Sequence, residues 1–89
     1  MIETHVARAD DRGWVITARV REGGGETVHE VTVSRADLAR LGRDGEPAER
    51  FVQRCFEFLL EREPKESILR RFDVTVIGRY FPEFERSIR

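Results

Sequence analysis

Pro47-Ala48-Glu49-Arg50-Phe51-Val52-Gln53-Arg54-Cys55-Phe56-Glu57-Phe58-Leu59-Leu60-Glu61-Arg62-Glu63-Pro64 is the stretch whose reading decides the fold. Placed on a helix from Ala48 to Arg62, it stacks Ala48, Val52, Cys55, Phe56 and Leu59 along one side at the 3.6-residue period. Phe51, Phe58 and Leu60 widen that stripe to roughly half the circumference, where a surface helix ordinarily shows an apolar face of about 100°. The polar strip left over is narrow: Glu49, Arg50, Gln53, Arg54, Glu57 and Glu61. Such a helix needs a sheet on one flank and further helices on the other.

Toward the N-terminus the chain supplies the sheet. Ile2 to Ala9 reads as a first strand, Trp14 to Arg21 as a second and Thr27 to Val33 as a third. Between the first two lies Asp10-Asp11-Arg12-Gly13. Gly13 is placed to take the left-handed conformation that closes a three-residue loop. That register sets Val6 opposite Ala18 and Thr4 opposite Val20. Gly23-Gly24-Gly25 separates the second strand from the third. With two of these glycines as the turn, Ile16 and Ala18 face residues from the set Val33, Val31 and His29. An odd-length loop would face them with Thr32 and Glu30, because a one-residue slip turns every side chain over. The two-residue turn is preferred. One face then carries Ile2, Val6, Trp14, Ile16, Ala18, Val20, Val31 and Val33. The other carries Glu3, His5, Thr17, Arg19, Arg21, Glu30 and Thr32. This is a meander with one wet face.

Ser34 follows as a helix N-cap, with Asp37 as a shortened capping-box acid. A short helix through Ala36, Leu38, Ala39 and Leu41 stops at Gly42, and Pro47 suits the first position of the central helix. Pro64 ends that helix. Beyond it, Lys65 to Phe72 reads as a short helix with Ile68, Leu69 and Phe72 inward. Asp73-Val74-Thr75-Val76-Ile77 is β-branched enough for a strand. Even so, Asp73 can cap a helix holding Val74, Ile77 and Phe81 on one side, and the helix is preferred. Pro82 opens a last short helix with Phe84 and Ile88 inward.

Composition bounds the rest. A chain of 89 residues, 39% hydrophobic and 37% charged, has room for one domain with a thin core. A net charge of -1 gives no strong field toward nucleic acid or membrane. Lys65 is the only lysine among 16 basic residues. The arginine excess reads as codon usage in a GC-rich genome, since the acids balance it. Cys55 stands alone, so no internal disulfide forms, and on the apolar stripe it acts as a small hydrophobe. No basic start with an apolar run marks a signal peptide, and no run approaches the length of a membrane span. The expected compartment is the cytoplasm.

The chemistry-bearing residues are few. His5 and His29 fall on opposite faces of the sheet and, with Cys55, do not match a metal-site spacing. Ser34, Ser67 and Ser87 lie in no sharp glycine-flanked turn. Glu49, Glu57 and Glu61 form the solvated ridge of the central helix. The three glycines from Gly23 run into a strand rather than a helix, which suits a hairpin and not a phosphate cradle. No catalytic group, cofactor or metal is expected. Ser67 to Phe72, Asp73, then Val74 to Tyr80 fits a short helix-turn-helix. It would carry Thr75, Gly78 and Arg79 on its second helix, and Arg70 and Arg71 beside them.

Phe58-Leu59-Leu60-Glu61-Arg62-Glu63-Pro64-Lys65-Glu66-Ser67-Ile68-Leu69, followed by Phe72-Asp73, Ile77 and Tyr80-Phe81-Pro82-Glu83-Phe84, resembles a group of small uncharacterised bacterial proteins, often actinobacterial. The resemblance spans roughly Phe56 to Ile88. It implies a bacterial, intracellular origin and carries no activity. The meander with its helix is also similar, at the level of fold alone, to antitoxins of the HicB type, whose motifs this chain lacks.

The sequence therefore leads to an α+β domain: a three-stranded antiparallel meander, packed against a central helix with additional short helices. Its expected role is a non-enzymatic binding or adaptor domain with a protein partner, and no membrane or cofactor. Tyr80, Phe81 and Phe84 are the candidate contact residues. The alternative is nucleic-acid binding through Arg70, Arg71, Thr75 and Arg79. Because the central stripe is too wide for the sheet alone, the tail from Tyr80 onward is expected to fold back over Phe51 and Phe58.

Overall fold

Two turns set the sheet in the computed structural model, which describes Met1–Arg89. Strand β2 (Gly13–Glu22) meets β3 (Gly25–Ser34) through Gly23 and Gly24, whose φ values of 61° and 80° are those a two-residue primed turn demands. Ile16 therefore faces Val31 and Ala18 faces His29, as the even-length turn requires. The first hairpin closes more tightly than its sequence suggests. Asp10 donates its N–H to the Gly13 carbonyl at 2.9 Å, and its carboxylate accepts from the N–H groups of Arg12 and Gly13. Strand β1 (Ile2–Ala9) then takes up an irregularity between Val6 and Arg8. In consequence Ile2, Thr4 and Val6 face Val20, Ala18 and Ile16. This register lies two residues from the expected one, and an even shift leaves every side chain on its expected face. Gly13 has a role of its own. At φ 156° it passes so close to β3 that a Cβ would lie 2.1 Å from the Val33 carbonyl oxygen.

The apolar face of the sheet holds Ile16, Ala18, Val20, Val31 and Val33, all fully buried. Helix α1 (Arg35–Leu41) starts at Ser34, whose hydroxyl accepts from the Asp37 N–H at 3.0 Å. Helix α2 (Ala48–Leu60) starts after Pro47 and buries Phe51, Val52, Cys55, Phe56, Phe58 and Leu59. It ends two residues before Arg62. The Arg62 guanidinium turns back 3.5 Å over the Phe58 ring and donates to the Phe58 carbonyl. A partly buried ion pair, Arg54 to Glu46 at 2.7 Å, ties the loop before α2 to the helix.

Past Pro64 the chain departs from expectation. Lys65–Ser67 makes a single 3-10 turn rather than a helix, and Arg71–Asp73 forms β4, parallel to β3. The sheet thus has four strands in the order β1-β2-β3-β4. Hydrogen bonding to the open edge of β3 overrides the local helical pattern: Glu30 donates to the Arg70 carbonyl and Val74 to the Thr32 carbonyl. Helix α3 (Val76–Tyr80) and the single turn α4 (Phe84–Ser87) follow. Asp73 shapes the entry to α3 by accepting from the Thr75 N–H and hydroxyl at 2.9 and 2.7 Å. Phe84 and Ile88 are buried, and the Phe84 ring packs edge-on to Phe58 at 5.1 Å. The tail folds back as expected, which corrects the reading of Phe84 as a contact residue: it belongs to the core. The class is α+β, and no helix is long and apolar enough to cross a membrane.

Candidate functional site

The segment from Pro64 to Phe72 is held to the sheet from beneath. His29, fully buried on β3, places Nδ1 2.8 Å from the Leu69 carbonyl oxygen and Nε2 2.8 Å from the Thr27 hydroxyl. A carbonyl only accepts, so Nδ1 carries the proton and Nε2 accepts from Thr27. The Phe56 ring lies 5.1 Å from the imidazole. Burial lowers the His29 pKa; the bond to Leu69 opposes that shift and the nearby Arg70 charge adds to it. The imidazole is therefore neutral near pH 7.

With the Leu69 carbonyl drawn inward, Ile68 and Phe72 go into the core, while the Leu69 side chain stays 48% exposed. Leu69 was expected inward on a helix, and the loss of that helix turns it out. Helix α3 presents Tyr80, 67% exposed, and the chain beyond it presents half-buried Phe81, whose ring meets Phe58 at 6.0 Å. Leu69, Tyr80 and Phe81 line an apolar groove of about 210 Å³ together with buried Leu59, Phe72 and Ile77. Glu63 and Ser67 are its only polar lining residues. Burial raises the Glu63 pKa.

The polar groups at the groove are one carboxylate, Glu63, and one exposed hydroxyl, Ser67. No cluster of three or more His, Cys, Asp or Glu is placed to hold a metal ion. Of the expected contact residues, Tyr80 and Phe81 line this groove and Phe84 does not. Leu69 and Glu63 join them, and Leu69 carries no local signal of exposure, because a bond from a distant strand places it.

The basic set is arranged differently from its sequence reading. Ser67–Phe72 is a turn and a strand, so no helix-turn-helix forms. Thr75 spends its hydroxyl on Asp73, and Arg71 lies 3.6 Å from Glu30. Arg70 and Arg79 are exposed. Comparison with known families, curated proteins and solved structures returns no match.

Proposed function

We propose that the chain is a non-enzymatic protein-binding module whose groove takes an apolar side chain of a partner polypeptide. The observation that carries this reading is the placement of Leu69 and Tyr80. They are two of the few large apolar side chains left exposed, and both line one apolar groove. Exposed apolar patches with a polar rim are characteristic of interaction sites. Glu63 at the rim favours a basic residue beside the apolar anchor. The sequence resemblance and the single buried cysteine favour a bacterial cytoplasmic setting.

The test is capture with cross-linking from a bacterial lysate, comparing the wild-type chain with Leu69→Glu and Tyr80→Ala. Circular dichroism and melting would confirm that both variants fold. A partner held by the wild type and lost by Leu69→Glu supports the groove. Equal retention by both would remove it. Salt-dependent retention of mixed oligonucleotides, abolished by Arg70→Ala with Arg71→Ala, would instead favour nucleic acid.

A further inference from the structure

The free edge of β1 has a sequence that is complementary to itself. β1 is the terminal strand of the sheet, and β2 occupies only one of its two sides. Met1 and Arg21 exchange both main-chain hydrogen bonds, 2.7 Å from the Met1 amino group and 2.8 Å to its carbonyl. In an antiparallel pair, bonded and non-bonded positions alternate. Glu3 and His5 therefore bond inward to β2, and Ile2, Thr4 and Val6 direct their N–H and C=O groups away from the sheet. The run Ile2-Glu3-Thr4-His5-Val6 is palindromic in character about Thr4: apolar, acidic, central, basic, apolar.

We propose that a second copy of this chain pairs with β1 antiparallel across a two-fold axis at Thr4, giving one continuous sheet. Ile2 then faces Val6 of the other copy, and Thr4 faces its own counterpart. All three outward-pointing positions fall in hydrogen-bonded pairs, which a one-residue shift of register would prevent. Glu3 faces His5 of the other copy in the non-bonded pairs, where the Cα atoms approach to about 4.5 Å and side chains are closest.

Each part of the strand suits this occupant. Val6 is 42% exposed although it lies on the apolar face of the sheet, and Ile2 of the second copy would cover it. The Thr4 hydroxyl donates to the Glu49 carbonyl at 2.9 Å and ties the strand to the start of α2, while the register with β2 leaves the outer main-chain groups free. Edge strands commonly protect themselves with lysine, proline or a bulge. Ile2 to Val6 has no lysine or proline, and the irregularity in β1 comes only after Val6. The other edge of the sheet, β4, is three residues long and offers far less to pair with.

The experiment is sedimentation equilibrium on the untagged full chain from micromolar to millimolar concentration. The expected result is a reversible species of twice the chain mass. Thr4→Pro removes an outward N–H and should give a monomer, while Thr4→Val loses the same hydroxyl bond to Glu49 and should still dimerise. His5→Glu sets carboxylates against each other and should weaken the dimer by about tenfold. Adding Glu3→His to it restores opposite partners and should recover the affinity. A monomer throughout the range would overturn the proposal. So would a dimer indifferent to Thr4→Pro and His5→Glu, or one dissociated by Leu69→Glu alone.

Discussion

His29 Nδ1 stands 2.8 Å from the Leu69 carbonyl oxygen, so a buried imidazole on the sheet holds the outer wall of the groove. The bond runs from β3 to a segment that arrives only after both α1 and α2. It couples the core to the groove that exposed Leu69 and Tyr80 line.

That coupling gives the fold a pH dependence. The folded-state pKa of His29 is depressed, mainly by burial. The unfolded chain, with an ordinary imidazole near 6.5, therefore binds more protons in the interval below that value. Stability is fully present above about pH 6.5 and falls as pH drops toward the folded pKa. Glu63, whose pKa burial raises, works in the opposite sense: its contribution is present below the ordinary carboxylate value and is lost as pH rises through the folded one. Urea midpoints measured over about pH 5.5 to 7.5 should decline on the acid side for the wild type and flatten for His29→Gln. A parallel decline in both would remove His29 as the cause.

Leu59→Ala empties a buried site on α2 and should cost about 2–5 kcal/mol. Glu57→Ala, on the exposed strip of the same helix, should change stability by about 0.5 kcal/mol or less. Denaturant unfolding of the two variants checks the phase of the helix directly, and equal losses would contradict it.

Cys55 is fully buried, and burial pushes its thiol pKa upward, so both access and thiolate fraction are low. An aromatic disulfide reagent should label it slowly in buffer and at once in denaturant. Rapid labelling of the folded chain would mean that α2 opens far more often than its packing implies.

Removing Tyr80 to Arg89 takes away Phe84 and Ile88 and strips Phe58 of two aromatic neighbours. It also leaves Arg54 without the Ile88 carbonyl to which it donates. Two buried side chains at about 2–5 kcal/mol each rival the roughly 5–15 kcal/mol that holds a small domain together. The truncated chain should melt far lower or not fold. An unchanged melting temperature would show that the tail is no part of the core.

What the sequence made legible was whatever is decided locally. The apolar stripe from Ala48 to Leu59 needs only its own period. The turn at Gly23 and Gly24 needs only positive φ. The even parity of both hairpins places each strand residue on its proper face. What escaped was decided at a distance. Arg71–Asp73 becomes a strand because β3 has an open edge there. Leu69 points outward because His29 takes its carbonyl. The helix stops short of Arg62 as the backbone tightens onto the Leu59 carbonyl, which accepts from the Arg62 and Glu63 N–H groups. The Phe58 carbonyl takes the Arg62 guanidinium instead. In the candidate site, Tyr80 and Phe81 could be named from their apolar character in a terminal segment. Phe84 shares that character, and only its packing on Phe58 assigns it to the core.

The parallel pairing of β4 also orders events in time. The three antiparallel strands are joined by short turns and can associate with little loss of chain freedom. β4 can dock only after the whole α1–α2 excursion has been closed, and long closures come late in folding. A three-residue strand held by so few bonds should be among the first parts to open. The amides of Glu30 and Val74, which bridge β3 and the β4 segment, should exchange with solvent sooner than those joining β2 to β3. The wall of the groove is then the latch of the fold, set last and released first, so a ligand seated there would act as a clamp on the entire chain.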